Sequence, residues 1–472
     1  MNTSINENIT TVISPKTAFE KNILPIKIEN GIFHVALSNK DNLRLVKDLS
    51  FDTGMKIETV EMPADVIIKE LKELYPGYDS NNGNGSRNNI KDHSLEYSNV
   101  EFVNQVIANA VKFKASDIHF ESLEKSFRIR FRIDGHLRET AVLSKSKGLP
   151  VISRLKIMAN LDISEKRRPQ DGRIKFNFEN REVDIRVSSL PANYGEKIVL
   201  RILDRSQLKL DLHKLGLNSE QLKIMKKYIN LPYGMLLVTG PTGSGKTTTL
   251  YAALQSVHSI EKNIITIEDP VEYNLEGINQ CNVNPGIGFT FANALRSFLR
   301  QDPDIIMVGE IRDRETAEIA IRASLTGHLV FSTLHTNDSV SGITRLIDMG
   351  IEPFLVSASV KMIIAQRLVR TLCDCKIEET GESTKSNLGV SRLFNKNGCA
   401  ECNETGYIGR TALFEILEIK DDLAEMISQN RSAREIKKAA AINGFKSLRE
   451  AGIEKINKGI TGYEEVLHET MF

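Results

Sequence analysis

Eight consecutive residues, Gly240, Pro241, Thr242, Gly243, Ser244, Gly245, Lys246 and Thr247, constrain this chain more than any other feature. They fit GxxxxGK[ST]. They also follow a short apolar run, Met235 to Val238, and precede a helical pattern starting near Thr248, the strand-loop-helix context the motif needs. Glycines let backbone N–H groups turn inward around a β-phosphate at a helix N-terminus. Lys246 is placed to neutralise β/γ oxygens, and the Thr247 hydroxyl to ligate Mg²⁺. The segment from Gly240 to Thr248 therefore predicts a site for ATP with Mg²⁺ on an α/β fold. The bland alternative, a glycine turn with an exposed lysine, does not account for the flanking strand and helix.

Further short apolar runs follow, Ile264 to Ile267, Ile305 to Val308 and Leu329 to Phe331. They alternate with helical patterns, as a largely parallel sheet covered on both faces requires. The carboxyl ends of such strands converge on one crevice beside the phosphate loop. Ile267 leads into Glu268 and Asp269, and Val308 into Gly309, Glu310, Ile311 and Arg312. Many nucleotide hydrolases place an Asp where Gly309 stands, so Glu310 is left as the base or the group that orients the attacking water. The run from Leu329 to Thr333 ends at His335. A lone histidine is more often a satisfied structural group, but at a strand end facing this crevice it fits a γ-phosphate sensor.

The chain has 472 residues, about three domains at roughly 150 each. Residues 1–78 read as a small α/β domain, with Ile32, Val35 and Leu37 strand-like and Val66, Ile67, Leu71 and Leu74 at helical spacing; no pattern there points to chemistry. Residues 79–94 contain DSNNGNGSRNN, a flexible linker. In residues 95–206, Val103, Val106, Ile107, Ala110 and Val111 mark an amphipathic helix. After it, Phe127, Ile129, Phe131 and Ile133 alternate with Arg128, Arg130, Arg132 and Asp134, giving a strand with an unusually basic face. Alternation at Ile174, Phe176 and Phe178, and at Val183, Ile185 and Val187, completes an α+β domain with an antiparallel sheet. Residues 207–472 form the nucleotide-binding domain, and no internal repeat is visible. Lys plus Arg total 62 against 61 Asp plus Glu, so no global field holds nucleic acid or an anionic membrane. With no apolar span and a polar start, a cytoplasmic location is expected.

Four of the five cysteines lie between Cys373 and Cys402, too local for a disulfide framework. Cys373, Cys375, Cys399 and Cys402 read as four thiolates around a tetrahedral, structural Zn²⁺, with reduced thiols in a loop as the alternative.

GPTGSGKTTTLY, IEDPVEY, LRQDPDIIMVGEIRD and STLHTND occur in this order, preceded by ASDIHFE (Ala115 to Glu121), RFRIDG (Arg130 to Gly135) and RRPQDGR (Arg167 to Arg173). Together, from about Ser94 to the C-terminus, they resemble the secretion ATPases of type II secretion and type IV pilus assembly. The resemblance implies a RecA-like P-loop ATPase domain preceded by a PAS-like domain. It also implies a homohexamer that hydrolyses ATP to assemble pilin-like subunits through an inner-membrane platform protein, touching the membrane only through partners. It assigns Glu268 and Glu272 to the Asp box, Glu310 to Walker B and His335 to the His box. Arg130, with Arg132 beside it, is expected against the nucleotide, where phosphoryl transfer develops charge that a guanidinium stabilises; the alternative is a solvated strand face or ion pairs with Asp134 and Glu121. The family commonly carries CxxC where this chain has Cys373, Asp374 and Cys375, a departure that bears on ligand geometry. The first domain resembles a shortened N-terminal module that docks to the platform partner, with nothing to assign a second-messenger site. That domain and the cysteine loop favour assembly or secretion over pilus retraction. Two rival readings are a nucleic-acid translocase using the basic strand, disfavoured by the lack of interleaved aromatics, and a nucleotide-gated scaffold with little turnover.

Overall fold

The computed structural model describes residues 13, 18–19, 22–29, 32–38, 46, 50, 55–75, 99–203, 210–381 and 389–471, and the chain divides into two compact units, 1–204 and 205–472. The linker predicted at 79–94 lies outside the described residues.

The first unit begins with β1 (Ile23–Glu29), β2 (Ile32–Leu37), β3 (Lys56–Glu61) and α1 (Ala64–Leu74). β1 and β2 pair antiparallel, β2 and β3 parallel. Ile67 and Leu71 of α1 bury against Ile23, Phe33 and Val35 of the sheet. There follow α2 (Asn99–Lys112), β4 (Asp117–Ser122), β5 (Ser126–Ile133), β6 (His136–Ser144), α3 (Lys145–Met158), β7 (Gln170–Phe178), β8 (Arg181–Ala192) and β9 (Gly195–Leu203). Their strands form an antiparallel sheet in the order β6-β5-β4-β9-β8-β7. Period-two alternation sends Phe127, Ile129 and Phe131 into a core with Val103 and Ile107 of α2 and Leu155 of α3. Arg128, Arg130 and Arg132 are left on the other face. Asp134 and Gly135, with φ of 50° and 89°, turn β5 tightly into β6.

The second unit contains α4 (Ser219–Tyr228), β10 (Gly234–Thr239), α5 (Lys246–Val257), β11 (Ile264–Glu268), β12 (Asn279–Asn282), α6 (Phe291–Phe298), β13 (Ile305–Val308), α7 (Arg314–Leu325) and β14 (Leu329–Leu334). α8 (Ser339–Asp348), α9 (Pro353–Ser359), β15 (Val360–Leu372), β16 (Ile377–Glu378), β17 (Phe394–Asn395), β18 (Tyr407–Glu418), α10 (Asp421–Ser428), α11 (Ala433–Ile442), α12 (Leu448–Asn457) and α13 (Tyr463–Glu469) complete it. The main sheet runs β12-β11-β13-β14-β10-β15-β18 and is parallel except for β18. Met235 and Leu237 of β10 enter one apolar layer, Leu236 and Val238 the other. Coverage on both faces is why this strand reads as an unbroken apolar run. The four runs read from the sequence are β10, β11, β13 and β14. β15 escaped that reading because Lys361, Gln366, Arg367 and Arg370 interrupt its apolar residues.

Candidate active site

β13, β14 and β10 are adjacent, so the segments leaving their carboxyl ends meet at one place: Glu310 after β13, His335 after β14 and the phosphate loop after β10. Within the loop Gly240, Gly243 and Gly245 have φ of 149°, 81° and 87°, a region that glycine alone enters freely. Pro241, Thr242 and Thr247 are exposed, Thr248 is half-buried, and the buried Ser244 hydroxyl has no partner among the described residues. Lys246 folds back, its Nζ donating to the carbonyls of Gly240 at 2.8 Å and Pro241 at 3.0 Å. Burial lowers its pKa; Glu310 pulls it up and Arg367 pushes it further down.

Two neighbours brace the loop, and neither was read from the sequence as functional. The Gln366 side chain on β15 donates to the Ser244 carbonyl at 2.8 Å and accepts from the Thr249 hydroxyl at 2.7 Å, clasping loop and helix together. The adjacent, fully buried Arg367 donates through Nη2 to the Asn337 carbonyl at 3.0 Å, two residues beyond His335. A buried Gln-Arg pair inside an apolar strand is itself a signal, since such groups must find partners. On the other side the Thr336 N–H donates to the Thr239 hydroxyl at 2.9 Å, tying the His335 segment to the end of β10.

Glu310 has two basic side chains beside it: its Oε2 accepts from Arg312 Nε at 2.6 Å and lies 3.2 Å from His335 Nε2. Arg312, two residues on in the GEIRD run, thus adds a cation at this carboxylate that the run alone does not assign. Glu268, at an equivalent strand end, sits differently. It is 3% exposed, its Oε1 accepting from Thr266 at 2.6 Å and Gln280 at 3.1 Å, its Oε2 from the Tyr251 hydroxyl. Burial raises its pKa against the pull of those bonds, and the charge of the half-buried Glu272 raises it further. Arg130 and Arg132 belong to the first unit, on the polar face of β5.

The cysteines converge where β15 ends and before β18 begins. Sγ–Sγ distances are 3.7 Å for Cys373 and Cys399, 3.9 Å for Cys375 and Cys402, and 3.6 Å for Cys399 and Cys402. Zn–S bonds of about 2.3 Å at tetrahedral angles put sulfurs roughly 3.8 Å apart, so the residues fit zinc. The short Cys373 to Cys375 spacing does not prevent closure. Burial would raise the Cys402 thiol, but backbone N–H groups of Gly406 and Cys399 outweigh it and hold the group near 6.

The family described as Type II/IV secretion system protein matches residues 94–468, and the MshEN domain matches residues 1–81. The chain belongs to the type II/IV secretion system protein family. Among its relatives in that family, the type IV pilus assembly ATPase PilB of Myxococcus xanthus is 47% identical, over 97% of this chain and 86% of its own length. The type II secretion system ATPase E of Vibrio cholerae is 49% identical over 79% of this chain and 75% of its own. Among solved structures, the ATPase DotB of Legionella pneumophila shares the fold at a TM-score of 0.60 and 20% identity, over 81% of this chain and 98% of its own. The pilus retraction motor PilT, solved with ADP, has a TM-score of 0.53 and 25% identity, over 78% of this chain and 97% of its own. The RecA-like P-loop fold expected for this family is present in the second unit.

Proposed function

We propose that this chain is a cytoplasmic ATPase that works as a homohexamer, hydrolysing Mg²⁺-ATP to drive assembly of type IV pilus or type II secretion pseudopilus subunits through an inner-membrane platform protein. The observation that carries the reading is the meeting of the phosphate loop, Glu310 and His335 at the ends of three adjacent strands. Gly240 to Thr248 cradle the triphosphate, Lys246 leaves its own loop carbonyls for the β/γ oxygens, and Thr247 ligates Mg²⁺. Glu310 orients the attacking water, His335 reads the γ-phosphate, and Arg130 with Arg132 meets the charge that develops on it. Glu268 serves indirectly, holding Tyr251 and hence α5, with Glu272 beside it. Closure of the arginine-bearing domain around the nucleotide, then release, supplies the stroke. Residues 1–78 dock to the platform, and the four cysteines hold a structural zinc. No helix among the described residues is long and apolar enough to cross a membrane, in keeping with membrane contact through partners.

The near balance of 62 Lys plus Arg against 61 Asp plus Glu and the lack of aromatics interleaved with the basic residues argue against a nucleic-acid track. Glu310→Gln tests hydrolysis. We expect turnover to fall on the order of 100-fold or more with nucleotide binding kept; unchanged partner-stimulated turnover would remove Glu310 from the chemistry, and pilus or secretion output that survives the loss of turnover would refute the motor and favour a nucleotide-gated scaffold.

A further inference from the structure

The ASDIHFE run has no part in the chemistry above, although it lies directly beside Arg130. β4 and β5 are antiparallel, and their register sets Asp117 against Arg132, His119 against Arg130 and Glu121 against Arg128. The two carboxylates therefore share the arginine face of the sheet. Both are buried, at 6% exposure. Oε1 of Glu121 lies 2.7 Å from Arg130 Nη2 and 3.1 Å from Lys197 Nζ, and its Oε2 lies 3.0 Å from Arg128 Nη2. Asp117 takes Arg201 at 3.1 Å and Arg132 at 3.5 Å. Burial alone would raise the Glu121 pKa, but hydrogen bonds from Arg130, Lys197 and Arg128 outweigh it and hold the carboxyl at about 2. It is an anion at any working pH.

Five cations thus share two carboxylates, leaving three positive charges without an acid in this cluster. Arg130 shows the surplus most directly. Its Nη2 is tied to Glu121, while its Nε is buried with no partner among the described residues. A guanidinium offers five donors and accepts nothing, so Arg130 has donor capacity that the described residues of its own domain do not use.

We propose that Glu121 is the positioning residue for Arg130: it pins one edge of the guanidinium so that the remaining donors are held ready for a phosphate oxygen. The inference rests on the reading that Arg130 meets the γ-phosphate. Without the carboxylate, Arg128, Arg130 and Lys197 would converge with no counter-charge at their centre. Arg130 would be driven out over many rotamers. Misplacement of a charge-stabilising group by about 1 Å costs up to roughly 100-fold in rate, without a matching loss in ground-state binding.

The experiment measures kcat and KM for ATP, and affinity for a slowly hydrolysed analogue, in the full-length protein and in Glu121→Gln, Arg130→Ala and the double variant. Glu121→Gln should lower kcat about 10- to 100-fold with KM and analogue affinity within about threefold. Arg130→Ala should lower kcat at least as far. The double variant should match Arg130→Ala alone, because Glu121 acts through Arg130; a merely structural role would add its own loss. Wild-type kcat in Glu121→Gln beside a damaged Arg130→Ala overturns the pin and leaves the arginine reading standing. Wild-type kcat in Arg130→Ala overturns both. Should Glu121→Gln fail to fold, Glu121→Asp keeps the charge but withdraws it by one methylene, and wild-type kcat there overturns the proposal.

Discussion

Gly240 opens the phosphate loop, and its replacement by alanine has a cost that can be worked out atom by atom. An added Cβ would stand 2.5 Å from the Gln366 carbonyl oxygen, 2.7 Å from Ser244 Oγ and 3.2 Å from Arg367 Nη1. The Gln366 carbonyl cannot retreat, because β15 is paired on both edges, with β10 and with β18. Gly243, three residues on, also has positive φ, yet an added Cβ there meets nothing within 4 Å. Backbone strain costs about 1–3 kcal/mol at Gly240 and about 1–2 kcal/mol at Gly243. Overlap with a fixed neighbour adds roughly 1–3 kcal/mol at Gly240 alone. Gly240→Ala should therefore lose about 2–6 kcal/mol against about 1–2 for Gly243→Ala. At roughly 2–4 °C per kcal/mol for a body of this size, Tm should fall about 4–24 °C in the first variant and about 2–8 °C in the second. Thermal unfolding without nucleotide is the assay, since both glycines shape the loop and both changes weaken ATP binding. A Gly243→Ala protein that loses as much Tm as Gly240→Ala would refute the argument from contact.

Elemental analysis of purified protein should find about one zinc per chain. Cys399→Ser or chelation should release it and speed hydrogen exchange across residues 373–402, and unchanged exchange in zinc-free protein would remove the metal assignment. Lys455 gives a pH test. Its Nζ donates to the Gly216 carbonyl at 2.8 Å, and burial, with Lys458 adding, lowers its pKa to about 8 although Glu454 pulls upward. An unfolded lysine titrates near 10.4, so the folded state releases this proton first. The cost of its burial is carried in full below about pH 8 and eases as pH rises toward about 10. Acetylation of Lys455 in the native protein, read peptide by peptide, should reach half its maximal rate near pH 8; a midpoint at the ordinary lysine value would refute the effect of burial.

The phosphate loop, Glu310 and His335 were legible because each follows from a local pattern, an apolar run that stops at a polar residue. The cysteine pairs were legible for a similar reason, each pair being close in sequence. Glu268 shows the limit: it ends its strand as Glu310 does, yet Tyr251 from α5 and Gln280 from β12 enclose it. Nothing near it in sequence announces those neighbours. Likewise Gln366 and Arg367 support the phosphate loop only because β15 lies beside β10, more than a hundred residues away in sequence. In the first unit, alternation placed Arg128, Arg130 and Arg132 on one face, but the register of β4 against β5 chose Glu121 and Asp117 as their partners. Periodicity along a chain determines which face a side chain takes, because it reflects backbone geometry alone. Strand order and register decide what stands opposite, because they come from the packing of segments far apart, and in this protein that packing decided which carboxylate is walled in and which arginine is held.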